Sequence, residues 1–238
     1  MQNYSKRFFS IREKKALQSA KEIVPIVMEY IKPTSVIDIG CGNGTWLSVF
    51  AEYGICDLLG VDGGVVDESN LLVSMKQFQN FDLSKEKFRV ERKYDLVVSL
   101  EVAEHIPNEK SYDFVKMLTD LGDIVMFSAA VPGQGGVDHI NEKWQSYWAE
   151  IFQKFDYEPR DFIRSMVWDN PYVRYWYKQN IMIYCKNDKL NYLPKSIVST
   201  PVNLVHPEMY SLLANTIPVQ LIMKVYFFFK KVYLRLPF

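Results

Sequence analysis

The chain has 238 residues, 48% hydrophobic and 24% charged, which suits one domain of ordinary size with room for a small appendage. That mixture excludes a disordered chain, a collagen-like repeat and a disulfide-rich miniprotein. Twenty-eight basic residues balance 28 acidic ones, so no global field attracts nucleic acid or steers an acidic substrate, although a local basic patch stays open.

In chain order, the first fifteen residues have no apolar run ahead of their charges, so no secretory signal is expected. Apolar residues at helical spacing over 12–31 (Ala16, Leu17, Ala20, Ile23, Val24, Val27, Met28) predict an amphipathic helix. It is bent or restarted at Pro25 and stopped by Pro33. Residues 35–39 form a short apolar run into glycines, which fits a buried strand. A helix follows over 45–53, then a second strand over 58–61 that ends at Asp62-Gly63-Gly64. A weaker third strand falls at 76–81, and residues 94–100 make the clearest strand of the chain. A helix over 110–121 and a strand over 123–129 come next. The last elements are a helix over 142–155, a loop around Pro159 and a strand over 181–185 that suits an antiparallel edge. Strands alternating with helices imply βαβ units and a mostly parallel sheet with helices on both faces.

The character changes near residue 186, where prolines at 194, 201, 207 and 218 break the chain into short pieces. Residues 219–238 mix aromatic and aliphatic side chains with Lys224, Lys230, Lys231 and Arg235. Such a helix packs on its own domain or on a second subunit, as in a homodimer; the alternative is contact with a membrane surface. No stretch approaches the roughly 20 apolar residues that cross a bilayer. Cys41, Cys56 and Cys185 are odd in number and fit neither a zinc module nor a disulfide framework. A cytoplasmic chain, peripheral to a membrane if the tail binds one, is expected. The expected divisions are an N-terminal helical segment (1–33), a core (34–185) and a C-terminal extension (186–238).

The passage from the first strand reads Val36-Ile37-Asp38-Ile39-Gly40-Cys41-Gly42-Asn43-Gly44-Thr45. Glycines there let a ligand approach the backbone, and the following helix start favours an anionic group. The spacing Gly-x-Gly-x-Gly is one residue shorter than a dinucleotide fingerprint. Asp62, at the end of the second strand, is placed to accept hydrogen bonds from both hydroxyls of a ribose.

With Gly60-Val61-Asp62, Phe81-Asp82-Leu83 and the run from Tyr94 to Glu101-Val102-Ala103-Glu104-His105, the sequence resembles the class I S-adenosylmethionine-dependent methyltransferases over residues 34–185. The resemblance implies a Rossmann-like, doubly wound α/β fold with a mostly parallel seven-stranded sheet, plus a C-terminal helical extension. It also implies S-adenosylmethionine as cofactor. By that resemblance Asp38, Gly40, Cys41, Gly42, Asn43 and Gly44 border the methionine part, and Asp62 with Gly63 holds the ribose. Asp82 faces the adenine through its carboxylate, Leu83 through its backbone N–H, and Ser99, Leu100 and Glu101 flank the methionine end.

Glu101, Glu104 and His105 stand at i, i+3 and i+4, so one helical turn puts all three on a face. His139 lies in a glycine-rich loop after the next strand. Two carboxylates and two imidazoles can ligate a divalent cation. This pattern looks like that of magnesium-assisted O-methyltransferases acting on small-RNA 3′ ends or quinone precursors, which implies Glu101, Glu104, His105 and His139 as ligands of Mg²⁺ or another divalent cation. Metal-free members of the class also carry Glu-His after the fourth strand, so a structural role stays open. His139 can also act without a metal, taking a proton from an attacking hydroxyl, with His105 beside it and Asp138 a weaker candidate. Asn141 is placed to cap the next helix, and Trp144 and Trp148 fall four apart on one helical face, most often a core face.

These features predict methyl transfer to a hydroxyl of a small molecule or glycan. The rivals are a magnesium-dependent RNA-ribose or quinone-precursor O-methyltransferase, a nicotinamide-dependent oxidoreductase, which the short glycine spacing disfavours, and a non-catalytic scaffold. The run of glycines, His139-Ile140-Asn141 and aromatics resembles bacterial methyltransferases of sugar and surface-glycan gene sets. Neutral charge offers no support for a nucleic-acid partner.

Overall fold

Residues 35–39 are buried at every position and form β1 (Ser35–Ile39) of a computed structural model that describes residues 6–64, 68–83, 88–186, 203–215 and 224. The other strands are β2 (Asp57–Asp62), β3 (Phe78–Asn80), β4 (Leu96–Leu100), β5 (Ile124–Ser128), β6 (Tyr157–Arg160) and β7 (Met182–Lys186). The helices are α1 (Lys6–Tyr30), α2 (Thr45–Glu52), α3 (Ser111–Leu121), α4 (Gln145–Gln153), α5 (Ile163–Val167), α6 (Tyr175–Asn180) and α7 (Pro207–Ala214). The strands form one seven-stranded sheet in the order β3-β2-β1-β4-β5-β7-β6. The pairs from β3 to β5 are parallel, and β7 runs antiparallel to both β5 and β6. This is the mostly parallel sheet that the alternating pattern predicted and the Rossmann-like, doubly wound arrangement that the resemblance implied.

Successive strand residues feed opposite faces, because the side-chain period of a strand is two. Val36, Leu96, Val98, Ile124, Met126 and Ile183 join a core with α1, α2, α5 and α6. Ile37, Ile39, Val97, Val125, Phe127 and Tyr184 join a second core with α3 and α4. Helix α1 runs through Pro25 as a single helix and gives the fully buried Ala20, Ile23, Val24 and Val27 to the first core.

Several expectations need correction. The predicted strand at 181–185 is β7, but it lies inside the sheet. The antiparallel edge is β6, which contains the Pro159 read as a loop. Proline has no N–H to donate and is confined to such edges; Pro159 sits opposite Tyr184. Helices α5 and α6, between β6 and β7, had no sequence expectation. The helix placed at 142–155 starts only at Gln145, because Ile140 and Asn141 donate their N–H groups to Glu104 O (2.9 and 3.0 Å) and Lys143 donates to Ala130 O (3.1 Å). Asn141 therefore does not cap α4; its Nδ2 donates to Ser111 Oγ at 2.9 Å. Trp148 is buried with its ring 5.3 Å from that of Phe127, whereas Trp144 lies one residue before the helix and is exposed, so the two share no packed face.

The chain divides into two compact units, Met1–Leu204 and Val205–Phe238. The sheet and α1 to α6 belong to the first. In the second, α7 begins at Pro207 and is capped by His206, whose Nδ1 accepts the Glu208 N–H at 3.2 Å. The amphipathic reading of 219–238 lies outside the described residues apart from Lys224. Among the described residues, no helix is long and apolar enough to cross a membrane.

Candidate active site

The sheet order reverses at β1, whose neighbours β2 and β4 are followed by segments diverging from its C-terminal end. In open α/β sheets ligands bind in that crevice. Two groups of residues border it.

The first is the glycine turn. Gly40 and Cys41 both donate their N–H groups to Val61 O (2.7 and 3.2 Å), which folds the turn over the end of β2. Gly40 has φ of 83°, and a Cβ there would lie 2.3 Å from Val102 Cγ2, so a side chain is excluded by both backbone and space. A Cβ on Gly42 would meet nothing within 4 Å, so this backbone faces open space. The Asp62 carboxylate is held by two N–H groups, from Gly42 to Oδ2 at 2.8 Å and from Gly64 to Oδ1 at 2.7 Å. Each oxygen keeps a further lone pair for a hydroxyl. Gly63 packs against the backbone of Phe81 and Asp82, while Phe81 N donates to Asp62 O at 2.9 Å, bringing Asp82 and Leu83 beside the end of β2. Asn43 faces the start of α2 instead of open space: its Oδ1 accepts from Thr45 Oγ1 at 2.7 Å and its carbonyl accepts from Leu72 N at 2.9 Å.

Asp38 is buried in β1 with Oδ2 lacking a hydrogen-bond partner. Burial first, and the Asp62 charge second, push its carboxyl up to about 8. The Cys41 thiol is likewise pushed up by burial and by Asp38 and Asp62, so it is an inert packing group. An orphaned carboxylate oxygen, an open glycine backbone and an acid at the end of β2 match the ammonium, chain and ribose of S-adenosylmethionine.

The second group begins at the end of β4. Glu101 takes φ of 57°, a conformation disfavoured for a residue with a side chain, and donates its N–H to Ser128 O and Oγ (3.0 and 3.1 Å). The predicted helical turn is a short 3₁₀ turn, Ala103–His105, and Glu101 lies outside it. The Glu101 carboxylate therefore leaves the expected quartet. It accepts from Gln134 Nε2 at 2.7 Å and Asn180 Nδ2 at 3.1 Å. Burial raises its pKa; hydrogen bonds from Asn180, Ser128 and Gln134 and the nearby His139 offset this in part.

The other three expected residues do converge. Glu104, His105 and His139 each bring one potential ligand atom to within 4.8 Å of the others. His139 Nε2 lies 3.9 Å from Glu104 Oε1, and the two imidazole rings meet edge to face at 5.0 Å. Glu104 is fully buried, and neither carboxylate oxygen has a hydrogen-bond partner of good geometry. Its pKa is raised well above the ordinary range by burial, then by the Glu101 charge and, less strongly, by Glu142. The N–H groups of Glu104 itself and Ala130 compensate in part. A buried, unsatisfied carboxylate costs free energy unless a cation or proton joins it, so this donor set fits a divalent cation. One carboxylate and two imidazoles suit a metal that accepts nitrogen, such as Mn²⁺, Co²⁺ or Zn²⁺, better than Mg²⁺. The two groups adjoin, since Val102 packs on Gly40 immediately before the 3₁₀ turn. Ser99 and Leu100 are buried in β4, and Ser99 Oγ has no partner.

Four residues escaped the sequence reading. Gln134 Oε1 accepts from Gln179 Nε2 (2.9 Å) and Asn180 Nδ2 (2.8 Å) while its own amide holds Glu101. Glu142 lies 3.1 Å from His139 Nδ1. Gln134 stood visibly between glycines, but Gln179 and Asn180 look in sequence like a polar helix end.

A family model described as a methyltransferase domain matches residues 11–170. Among solved structures, a SAM-dependent methyltransferase from Archaeoglobus fulgidus aligns with a TM-score of 0.53 at 16% identity, over 75% of this chain and 99% of that one. Magnesium protoporphyrin IX methyltransferase (ChlM) from Synechocystis PCC 6803 with bound SAM aligns at 0.51 and 18% identity, over 72% and 80%. The methyltransferase domain of bacterial CtHen1-C aligns at 0.50 and 18% identity, over 71% and 97%. No curated protein matches the chain. The family match runs from α1 through the glycine turn and the acid–histidine corner and spans more than half of the sequence: the chain belongs to the class I S-adenosylmethionine-dependent methyltransferases.

Proposed function

We propose that this methyltransferase acts on a hydroxyl of a small molecule or glycan. The observation that carries the proposal is the corner of Glu104, His105 and His139 beside the glycine turn. S-adenosylmethionine, when bound, supplies an electrophilic methyl carbon, so the protein's work is alignment and handling of one proton. A hydroxyl acceptor must lose that proton in order to attack. An amine in its free-base form has no such need beforehand. In this reading His139 Nε2 takes the proton. Close to it in sequence, Val137, Ile140 and Trp144 are 40%, 64% and 40% exposed, and exposed apolar side chains suit an acceptor with an apolar or sugar-like face.

A second reading keeps the same corner and gives it a cation. The paired orphan oxygens of Glu104 favour it. In that reading Glu104, His105 and His139 would hold the ion, and the ion would lower the pKa of the acceptor hydroxyl.

Screening labelled methyl donor against pooled sugars, phenols and nucleotides, with product analysis by mass spectrometry, tests both. Transfer to oxygen in the sugar or phenol pool is expected. Label appearing only on nitrogen, or only in nucleotides, overturns the acceptor class. Loss of activity with EDTA, restored by Mn²⁺ or Co²⁺, selects the cation reading; indifference to chelator selects His139 as the base.

A further inference from the structure

Glu142 follows His139 by three residues and belongs to none of the roles above. One carboxylate there meets three nitrogens. Oε2 accepts the Gly133 N–H at 2.8 Å, Oε1 accepts the Gly135 N–H at 2.7 Å, and Oε1 also lies 3.1 Å from His139 Nδ1. The loop they close, residues 133–139, carries His139 back over its own backbone. A Cβ on Gly136 would stand 2.2 Å from His139 Nε2, so the ring lies flat against a position that only glycine can fill. The loop is also tied at its far end, where Ile140 N and Asn141 N donate to Glu104 O.

We propose that Glu142 is the positioning residue of the site: it holds His139 in the Nδ1–H form and leaves the Nε2 lone pair facing Glu104 and the crevice. A carboxylate whose two oxygens already accept backbone N–H groups can meet a ring nitrogen only as an acceptor, so Nδ1 carries the hydrogen. In a neutral imidazole the lone pair then sits on Nε2, the atom 3.9 Å from Glu104 Oε1. Both proposed uses of His139, as base and as ligand, need that lone pair in that direction, and the inference rests on that reading. A carboxylate behind an imidazole fixes ring orientation as well as tautomer. Because the same carboxylate holds the glycine loop, loop closure and imidazole orientation are set by one side chain.

The chain has three histidines, which makes the test direct. Protein labelled with ¹⁵N-histidine, saturated with S-adenosylhomocysteine at mildly alkaline pH, is read by two-bond ¹⁵N–¹H correlation. His139 is expected as the Nδ1–H tautomer. In E142Q the tautomer population should move towards Nε2–H, because a glutamine amide can donate to Nδ1. The Gly133 and Gly135 amides should exchange roughly tenfold faster on losing a charged acceptor. An Nε2–H tautomer in the unmodified protein, or an unaltered population in E142Q, overturns the positioning role. If E142Q does not fold, the unmodified protein decides alone, through its tautomer and the protection of the two glycine amides. The tautomer is read without turnover, so an unaltered tautomer sinks this inference even where His139→Ala abolishes transfer.

Discussion

The two borders of the crevice are built from different materials. The border proposed for the cofactor is mostly backbone. Its hydrogen bonds run from the N–H groups of Gly40, Cys41, Gly42 and Gly64 to Val61 O and the Asp62 carboxylate, within a stretch of chain that spans two adjacent strands. The border proposed for the acceptor is built of side chains. Glu101, Glu104, His105, Gln134, His139, Glu142 and Asn180 come from three separate segments, and two carboxylates there are raised by burial. A backbone site is set by conformation and is indifferent to most side chains. A side-chain site stores electrostatic cost, which a bound ligand or proton can release.

The largest expected effect lies on the acceptor border. His139→Ala should slow transfer by roughly 10²–10⁴-fold, the usual worth of a general base, while calorimetry shows cofactor affinity unchanged. Equal turnover would remove His139 from the chemistry and leave the contrast purely structural.

On the cofactor border, Gly40→Ala should cost about 2–5 kcal/mol in folding stability or cofactor binding, combining a left-handed backbone with a clash on Val102. Melting and titration measure it; a neutral outcome would mean that the turn relaxes freely.

The borders should respond oppositely to removal of an acid. Glu104→Met should stabilise the metal-free protein by about 1–3 kcal/mol, since it deletes a buried, unsatisfied carboxylate, and should abolish any cation dependence. Asp62→Ala should instead weaken S-adenosylmethionine binding by about 1–3 kcal/mol, on the proposal that the carboxylate that holds the turn also accepts from the ribose. A destabilised Glu104→Met, or undiminished affinity in Asp62→Ala, would erase the distinction.

The smallest effect is a proton. Burial, and secondarily the Asp62 charge, raise the Asp38 carboxyl from the ordinary 3.8 of an unfolded chain to about 8. Its folded value is raised, so its contribution to stability is complete below the unfolded value and is lost as pH climbs through about 8. An incoming ammonium favours the carboxylate, so cofactor binding below pH 8 should release a proton and tighten as pH rises towards 8. Calorimetry in two buffers of different ionisation enthalpy reads this; equal heats would place Asp38 outside the methionine pocket.

The glycine turn and the acid at the end of β2 were legible in the sequence. Gly40, Gly42, Gly44 and Asp62 act through properties that spacing preserves, namely conformational freedom and position at a strand end. The packing around them was not: the Asn43 side chain is held by Thr45, and Cys41, Ser99 and Leu100 are buried. The acceptor border was half legible. Glu104, His105 and His139 converge as their pattern implied, but Glu101 leaves them, because a positive φ before the 3₁₀ turn swings it towards Gln134 and Asn180. Pro159 hid β6 for a related reason. A proline is disfavoured in a central strand, and nothing local says that a strand is the last in its sheet.

From the sequence alone came the alternation of strands and helices, the glycine turn, the acid one strand later and the family that these imply. Each depends on residues near one another in the chain, where covalent geometry and side-chain period are sufficient. Tertiary structure alone decided which carboxylate joins the two imidazoles, which one is bound by amides, and that Glu142 reaches His139 Nδ1. Those outcomes depend on distances between side chains on different segments, and a one-dimensional pattern carries no such distances.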